Sequence, residues 1–331
     1  MLHNRVNRRA LRERLATDAE RRLTLSFYRY VRVADPAAFR DDLYAAWRPL
    51  GALGRVYVAN EGINAQISLP EARLADFRTY LQAHLYLGEL RLNAAVEDDG
   101  KSFFKLTIKV KEKIVADGLR DDTFDVTDRG QHLDAAGFNA LTARPETIVV
   151  DMRNHYEFEV GHFEGAVGLP AATFREALPL AEETLRGKEE QPVVMYCTGG
   201  IRCEKASAYL KHRGFRKVFQ LEGGIIHYTR QAEAAGLPNR FRGKNFVFDE
   251  RMGERISGEV ISQCHQCGAP CDTHRNCANQ ACHRLFLQCD ACAAAHETCC
   301  SAECQDVLKL PVEAQRELCR RRPTDWFSKS R

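Results

Sequence analysis

The segment Tyr196–Glu204 (YCTGGIRCE) has the residue types of a loop that activates a thiol. Cys197 directly follows an apolar stretch with the pattern of a strand, and Gly199 and Gly200 allow a tight turn because glycine tolerates unusual backbone angles. Arg202 ends the turn just before a predicted helix. Amides gathered at a helix N-terminus stabilise an anion, so we expect a lowered pKa and nucleophilic character for the Cys197 thiol. The candidate catalytic residues are Cys197 and Arg202, and the candidate anion-binding residues are Thr198, Gly199, Gly200 and Ile201.

The sequence leaves alternatives open for both cysteines of this segment. Cys197 could be a buried, inert cysteine beside an ordinary turn between a strand and a helix. Cys203, six residues further on, could resolve a persulfide or a sulfenate on Cys197 into a disulfide. Its helical placement could instead bury it as a small hydrophobic residue.

Ten of the 13 cysteines lie between positions 264 and 304, and their spacing favours metal binding. Two CxxC pairs with further thiols nearby are typical of tetrahedral zinc sites. The first predicted ligand set is Cys264, Cys267, Cys289 and Cys292, and the second is Cys277, Cys282, Cys304 and either Cys300 or Cys299. Because this segment has few aliphatic residues, we expect a structural metal to supply much of its folding free energy. Thiolates alone do not exclude an iron–sulfur cluster or disulfides, and Cys319 stays unassigned.

The composition indicates a soluble globular protein of two or three domains. The chain has 331 residues, of which 44% are hydrophobic and 28% charged. No apolar run approaches the roughly 18 residues of a membrane-spanning helix, and the N-terminus lacks the apolar core of a signal peptide. We therefore expect a cytoplasmic protein with no membrane partner. Thiols are kept reduced in that compartment, which argues against a secreted disulfide scaffold.

Both ends of the chain are basic. Residues 1–22 carry a net charge of +4 and residues 305–331 a net charge of +3, while the whole chain carries +3, which leaves −4 for the residues between. The basic ends could attract the phosphates of a nucleic acid. They could equally be solvated helices or tails.

Apolar patterns predict a first domain over residues 23–120, after a basic N-terminal segment over 1–22. In chain order we predict a strand at 23–33, a helix from Pro36 capped by Asp35, two strands or one bent strand within 55–69, a helix at 71–87 and a strand at 103–116. The order β-α-β-β-α-β is typical of a ferredoxin-like, acylphosphatase-like α+β fold. That architecture hosts many activities and by itself indicates none.

Residues 143–238 have the pattern of a doubly wound α/β domain, after a connector over 121–142 that ends in a short helix. Apolar strands are expected at 147–151, 192–196 and 217–221, with a helix at 203–213. Strands that alternate with helices in this way predict a parallel sheet with helices on both faces. Residues 239–331 are predicted to be a linker and the Cys-rich tail.

Basic and aromatic residues alternate in the first part of that linker. They are Arg240, Arg242, Lys244, Arg251 and Arg255, interleaved with Phe241, Phe246 and Phe248. Such a pattern could bind phosphates and stack on bases. A packed segment between domains explains it equally well, because three acidic residues dilute the positive charge.

The reactive loop resembles the active loop of rhodanese domains, in which the first cysteine carries a persulfide. Upstream, VVDMRNHYEFEVGHFEGAVGLP is similar to the other signature of that family, and LEGGI resembles its terminal strand and turn. The matching upstream residues are Asp151, Arg153, Glu157, Gly161, His162, Gly165 and Ala166. The loop from Cys197 to Arg202 has six residues, one fewer than in the related dual-specificity phosphatases, which disfavours a phosphatase.

From about residue 23 to the terminal SKSR, the chain resembles the rhodanese-containing bacterial tRNA uridine hydroxylases. The ferredoxin-like unit, the rhodanese motifs, the segment GKNFVFDERMGERIS and the Cys-rich tail carry this resemblance. It implies that dioxygen is the co-substrate, that the wobble uridine of the tRNA anticodon loop becomes 5-hydroxyuridine, and that Cys197 is the required cysteine. It identifies neither the electron donor nor the oligomeric state. The residues themselves indicate only an activated cysteine, on which a persulfide or a peroxide adduct is a hypothesis.

The remaining signature residues are expected to be structural. Asp151, Arg153 and Glu157 should fix the sheet and its following loop by ion pairing. His155 and His162 are interpreted as scaffold residues rather than as acids or bases.

Two other functions remain open. A sulfurtransferase would pass persulfide sulfur from Cys197 to an acceptor, and a non-enzymatic adaptor would bind RNA or protein through the basic ends and the tail. His227 lies closer to the expected active face than the other histidines but is a weak candidate.

Overall fold

The computed structural model describes residues 8–17, 20–119 and 125–320, which form three connected units. A helix, α1 (Arg8–Thr17), precedes the first unit. Positions 1–7 and 18–19 of the predicted basic segment, 120–124 around the predicted connector and 321–331 of the predicted tail lie outside the described residues. Within the described ranges, no helix has the length and apolar character needed to cross a membrane.

The first unit is a five-stranded sheet with two helices packed on it. Its elements are β1 (Arg22–Tyr30), α2 (Pro36–Trp47), β2 (Leu53–Ala59), β3 (Gly62–Pro70), α3 (Leu74–Ala83), β4 (Asn93–Ala94) and β5 (Leu106–Val110). The strands lie in the order β4-β1-β3-β2-β5, and all pairs are antiparallel except β2 with β5. The predicted ferredoxin-like, acylphosphatase-like α+β fold is confirmed.

Helix α2 shows how local sequence specifies this unit. The Asp35 side chain accepts hydrogen bonds from two amides of the first turn, and Pro36 occupies the start of the helix. Phe39, Leu43 and Trp47 follow at helical spacing, and all three are buried against the sheet. The N-cap and the apolar face therefore both specify the helix that the sequence predicts.

Two details of this unit differ from the prediction. The sheet has five strands rather than four, because the two-residue β4 is too short to show an alternating pattern. The helix expected at 71–87 begins with a 3-10 turn at Glu71–Arg73 and ends at Ala83. Leu85, within the predicted range but beyond the end of the helix, is 87% exposed.

The second unit is a parallel sheet with helices on both faces. Its elements are β6 (Gln131–Leu133), α4 (Ala135–Thr142), β7 (Ile148–Asp151), α5 (His155–Val160), β8 (Gly161–Phe163), β9 (Val167–Gly168), α6 (Phe174–Leu185), β10 (Val193–Tyr196), α7 (Ile201–His212), β11 (Val218–Leu221) and α8 (Gly224–Ala234). The strand order is β6-β11-β10-β7-β9, and every pair in it is parallel. Helices α6 and α7 contribute to one core, and α4 and α8 to the core on the other face. The predicted α/β architecture is confirmed.

The segment predicted as a connector contributes to this second sheet. β6 pairs with β11, and Phe138 of α4 is fully buried against Tyr228 of α8. A strand of three residues gives no readable periodicity, so the sequence pattern did not separate it from a linker. The predicted short helix at the end of the connector is present as α4, but residues 131–142 belong to the second unit rather than to a connector before it.

The third unit packs closely against the second unit. Its elements are β12 (Phe241–Asn245), β13 (Glu254–Arg255), β14 (His274–Asn276), β15 (Leu285–Leu287), α9 (Asp290–Ala295), α10 (Ala302–Leu308) and α11 (Val312–Arg320). β12 pairs with both β8 and β13, which joins the two units through one small sheet. β14 and β15 form a hairpin that leads into the helices of the tail.

Candidate functional site

Cys197 lies directly after β10, and its side chain is fully buried. The backbone amide of Gly200 donates a hydrogen bond to Cys197 Sγ over 3.1 Å. Gly200 has a φ angle of 97°, and a Cβ atom there would lie 2.9 Å from the hydroxyl oxygen of Tyr28. The backbone angle favours glycine at this position, and a larger residue would also have to displace the Tyr28 hydroxyl. The loop therefore has the form of an anion-binding turn at the start of α7.

The surroundings of Cys197 favour its ionised form. Burial raises the pKa of this thiol, but the hydrogen bond from Cys203, the charge of Arg202 and the amides of Arg202 and Gly200 lower it overall to about 6. Most Cys197 side chains are therefore thiolates at neutral pH. The thiolate is the nucleophilic form of cysteine.

Glu157 holds the arginine of the loop in place. Arg202 donates two hydrogen bonds to the Glu157 carboxylate, of 2.7 Å from Nη1 and 3.0 Å from Nη2. Thr198 Oγ1 donates to the same carboxylate over 3.3 Å. Burial raises the pKa of Glu157, but the charge of Arg202 lowers it overall, so Glu157 stays ionised. The ion pairing expected for Glu157 is thus present, and its partner is Arg202 of the reactive loop.

Asp151 and Arg153 form a second ion pair, separate from the loop. Arg153 Nη2 lies 2.6 Å from Asp151 Oδ2, and both side chains have no exposure to solvent. The same nitrogen donates to the carbonyl oxygen of Gly161 over 2.5 Å. This pair therefore connects the end of β7 to the start of β8.

Cys203 lies beside Cys197 in the core of the second unit. Burial and the hydrogen bond to Cys197 raise the pKa of the Cys203 thiol. Cys203 therefore favours its protonated form beside Cys197. This arrangement has the burial expected of a small hydrophobic residue, and the role of a resolving thiol stays a prediction.

The reactive loop lines a cavity of about 520 Å³ between the three units. Small-molecule sites in proteins commonly have volumes of about 300–1,000 Å³. The lining includes the rings of Tyr28, Tyr57 and Phe248, the amides of Asn64, Gln66 and Asn93, and the cations of Arg55, Lys111, Arg202 and Arg251. These groups can stack on a flat ligand, form hydrogen bonds with it and attract an anion.

The first unit covers the start of α7 through buried polar contacts. The Tyr28 hydroxyl donates to Glu204 Oε1 over 2.8 Å. Lys205 Nζ lies 2.6 Å from Glu61 Oε2 and also contacts the carboxylate of Asp117. The sequence reasoning missed this interface. Its only local signal was the charged pair Glu204 and Lys205 directly after the reactive loop, where burial of a charge requires a partner.

The three histidines considered from the sequence lie outside the cavity lining. His155 is exposed, and His162 stacks on Phe158 with ring centroids 4.0 Å apart. His227 is half-buried, and burial together with the charge of Arg91 lowers its pKa. Their positions agree with the scaffold interpretation of His155 and His162 and add nothing to the weak case for His227.

The basic and aromatic residues of the linker are mostly engaged within the protein. The ion pairs are Arg242 with Glu259, Arg251 with Asp249 and Glu254, and Arg255 with Asp272. Phe241 and Phe246 are 1% and 5% exposed. Their interpretation as base-stacking rings is wrong, because Phe241 lies in the core of the second unit and Phe246 packs with Tyr156 of α5. Phe248 is different, since it lines the cavity.

The cysteines of the two predicted ligand sets form two clusters. In each cluster the four sulfur atoms lie within 4.8 Å of one another. The clusters are Cys264, Cys267, Cys289 and Cys292, and Cys277, Cys282, Cys300 and Cys304. The second cluster thus contains Cys300 rather than the alternative Cys299.

The sulfur separations fit tetrahedral coordination. The Sγ atoms of Cys267 and Cys289 are 3.7 Å apart, those of Cys282 and Cys300 are 3.6 Å apart, and those of Cys300 and Cys304 are 3.7 Å apart. Four zinc–sulfur bonds of about 2.3 Å in a tetrahedron place the sulfur atoms about 3.8 Å apart. A disulfide would require about 2.05 Å. Both clusters could therefore hold a metal ion.

Three family models match the chain in succession. The family described as "UPF0176 acylphosphatase like domain" matches residues 22–114. The "Rhodanese-like domain" matches residues 134–231, and "Rhodanase C-terminal" matches residues 242–305. These matches agree with the folds of the three units.

Curated relatives extend the similarity to nearly the whole chain. A protein of Pectobacterium carotovorum subsp. carotovorum (strain PC1) is 56% identical over 319 residues, which are 96% of this chain and 90% of the relative. A protein of Yersinia enterocolitica is 58% identical over 317 residues, which are 96% of this chain and 91% of the relative. Both are named tRNA uridine(34) hydroxylase. Among solved structures, the rhodanese-like domain of the Anabaena sp. Alr3790 protein is 22% identical, covers 34% of this chain and 78% of its own, and has a TM-score of 0.28.

Proposed function

Because this chain belongs to the family of tRNA uridine(34) hydroxylases, we propose that it converts the wobble uridine of the tRNA anticodon loop to 5-hydroxyuridine, with dioxygen as co-substrate. It is then an oxidoreductase that acts on RNA. The observation that carries the proposal is the buried Cys197, whose sulfur accepts a hydrogen bond from the Gly200 amide and whose loop lines a cavity built by all three units. Such a cavity can hold a nucleobase against an activated sulfur atom.

The cavity suits a base taken from a single-stranded loop. Unpaired bases can rotate out of the stack into a protein pocket, where aromatic rings stack on them. Tyr57 and Phe248 supply ring faces, and Arg55 and Lys111 supply positive charge for the adjoining phosphates. An anticodon loop offers its bases in this form, whereas a base inside a duplex would first have to be unpaired.

The reaction needs more than dioxygen and uridine. One oxygen atom of dioxygen enters at C5 of uracil and the other leaves as water, so each turnover also consumes two electrons and two protons from a reductant such as a dithiol. Direct reaction of dioxygen with uridine is spin-disfavoured, which is why we assign a reactive role to the Cys197 thiolate. The amides of residues 198–202 and the Arg202 guanidinium would stabilise anionic forms of the Cys197 sulfur.

The test is the formation of product from purified components. Wild-type protein is incubated with an anticodon stem-loop and dithiothreitol under ¹⁸O₂, and the digested RNA is analysed by mass spectrometry. We expect ¹⁸O-labelled 5-hydroxyuridine, and none under argon. The Cys197→Ser variant should lose this product, whereas Cys319→Ser should retain it because Cys319 lies on α11, outside the cavity lining. Absence of product with wild-type protein would overturn the proposal, and full activity of Cys197→Ser would overturn the role of Cys197.

A rhodanese-type sulfurtransferase is the second candidate, favoured by the same hydrogen bond from the Gly200 amide to Cys197 Sγ. That amide could hold the terminal sulfur of a persulfide equally well. This function predicts transfer of sulfur from thiosulfate to cyanide without tRNA. Thiocyanate formation lost in Cys197→Ser, without any uridine hydroxylation by the wild type, would favour it over the first proposal.

We also propose that both cysteine clusters hold structural zinc. Each offers four sulfur ligands and is closed, which is typical of structural rather than catalytic zinc sites. Cysteine thiolates are maintained in a reducing compartment, and tRNA is present there, so we propose that the protein works in the cytoplasm.

A further inference from the structure

Asn93 lies in the wall of the cavity, and its buried side-chain amide lacks part of its hydrogen bonds. Its side chain belongs to a residue that is only 7% exposed, and its Oδ1 atom has no hydrogen-bond partner among the described residues. Most buried polar atoms in native proteins are hydrogen-bonded, so an exception calls for an explanation. A ligand that supplies the missing donor is one such explanation.

The position of Asn93 places its amide next to the reactive loop. Asn93 lies in β4, opposite Ser26 of β1, and both residues line the cavity. A Cβ atom built on Gly199 would lie 4.0 Å from Asn93 Nδ2. Since Gly199 is two residues from Cys197, the amide and the reactive sulfur belong to one compartment.

A second buried polar atom in the same lining is also without a partner. Glu254 has no exposure, and its Oε1 accepts hydrogen bonds from Arg251 Nη1 over 2.7 Å and from the Val96 amide over 3.2 Å. Its Oε2 has no partner among the described residues. Asn64, by contrast, donates its amide to the Ile114 carbonyl oxygen over 3.2 Å. The Val96 amide that binds Glu254 lies three residues after Asn93 in the chain, so both groups with an unpaired oxygen line the cavity beside the β4 segment.

We propose that Asn93 binds the Watson–Crick edge of the target uracil and thereby selects the base, an inference that rests on the proposed function. A carboxamide has one acceptor oxygen and a nitrogen with two donors. Nδ2, the amide atom next to Gly199, donates a hydrogen bond to a uracil carbonyl oxygen, and Oδ1 accepts one from N3–H once the side chain turns towards the base. Cytosine has no N3–H, so it pairs only after the amide has rotated by 180°. A site that hydrogen-bonds a particular group discriminates strongly against analogues that lack it.

The experiment compares uridine with 3-methyluridine, which lacks N3–H, at the target position of an anticodon stem-loop. Wild type, Asn93→Ala and Asn93→Asp are assayed for kcat/KM by mass spectrometry. We expect both variants to lose about 10- to 100-fold in kcat/KM on uridine. We also expect the ratio of kcat/KM for uridine to that for 3-methyluridine to be at most about threefold in Asn93→Ala. The reason is that this variant lacks the group that senses N3–H. Asn60→Ala is the matched control, since Asn60 donates to the Val33 carbonyl oxygen in the same unit and is absent from the cavity lining.

A binding measurement separates this inference from the proposed function. Fluorescence anisotropy with the Cys197→Ser background measures affinity for the two stem-loops without turnover. The inference is supported if that background prefers uridine to 3-methyluridine and the added Asn93→Ala change removes the preference. It is overturned if Asn93→Ala keeps both the wild-type kcat/KM and the wild-type preference. If Asn93→Ala fails to fold, Asn93→Leu carries the test, because it has a similar volume and no acceptor for N3–H. Wild-type protein that binds with preference but forms no product would overturn the proposed function alone.

Discussion

Asp151 and Arg153 carry opposite charges in the interior of the second unit, without any contact with solvent. Removing one partner of such a pair leaves a buried charge unpaired, which costs about 3–5 kcal/mol. We expect Arg153→Leu to lower the free energy of unfolding by about that amount in urea denaturation. The control is Arg216→Ala, because the side chains of Arg216 and its partner Glu190 are 75% and 68% exposed. Exposed pairs contribute about 0–1 kcal/mol. Equal losses in the two variants would contradict the structural role of Arg153.

The pKa of about 6 for Cys197 predicts a particular pH dependence of its reactivity. The thiolate fraction rises as pH rises through the pKa, so alkylation by iodoacetamide should increase about tenfold from pH 5 to pH 7 and then level off. An ordinary thiol, with a pKa of about 8.5, would still gain reactivity up to pH 9. The rate for the Cys197 peptide is measured by mass spectrometry.

Arg202→Gln tests the cause of that shift. It removes the positive charge near Cys197 and two donors to Glu157, so the midpoint should move to higher pH. An unchanged midpoint would show that the loop amides and Cys203 suffice to stabilise the thiolate. Urea denaturation of the variant checks that the loop has not simply unfolded.

Helix α7 is the element through which the first unit contacts the reactive loop. Lys205 on this helix is fully buried between Glu61 and Asp117. Lys205→Met keeps the volume but removes the cation from the two carboxylates, and we expect it to lower the free energy of unfolding by about 3 kcal/mol. It should also increase the alkylation rate of Cys197, because the contact of the first unit with α7, beside the reactive loop, is weakened.

Lys211→Met on the same helix is the matched control for Lys205→Met. Lys211 contacts Asp128, and the two side chains are 30% and 64% exposed. Its loss should change the free energy of unfolding by less than about 1 kcal/mol and leave the Cys197 rate unaltered. If Lys205→Met behaved like this control, the buried contact would not hold the first unit to α7.

Elements with strong local signals could be predicted from the sequence. The apolar strands β7, β10 and β11 are continuous runs, and α2 has both a cap and an apolar face. The reactive loop was also predictable, because glycine, cysteine and arginine lie within nine residues of one another. In these cases the cause of the structure lies within a few residues of the chain.

Features made by distant residues could not be predicted in this way. β4 and β6 have two and three residues, and each exists because a longer neighbouring strand offers hydrogen bonds. The hydrogen bond from Tyr28 to Glu204 spans 176 positions of the chain. Residue spacing along a single element does not encode such contacts. The contacts of the first unit with α7, and most residues of the cavity lining, could therefore be identified only from the structure.

At the scale of the whole molecule, the tail is attached to the second unit as well as to its own cysteines. His265, beside the first cluster, lies 2.7 Å from Glu159 of α5. Leu287 of β15 packs with Val160 and Phe246 in a shared apolar cluster. Any metal that orders the tail therefore also supports the helix from which Glu157 reaches the reactive loop.

This arrangement predicts how single cysteine changes affect metal content. We expect two zinc ions per wild-type chain by elemental mass spectrometry, and about one in Cys264→Ser because that change removes one of four ligands from a cluster. Cys271→Ser is the matched control, since Cys271 is buried nearby but belongs to neither cluster. Iron in place of zinc, or equal metal content in the two variants, would contradict the assignment.

The cavity also constrains how such a protein can evolve. Its walls come from all three units, and the lining residues lie far apart in sequence. A gene that acquired only the second unit would encode Cys197 and its loop but would lack the cavity walls that the first and third units supply. A unit exchanged between relatives should therefore preserve the cavity only when the new unit presents the same wall.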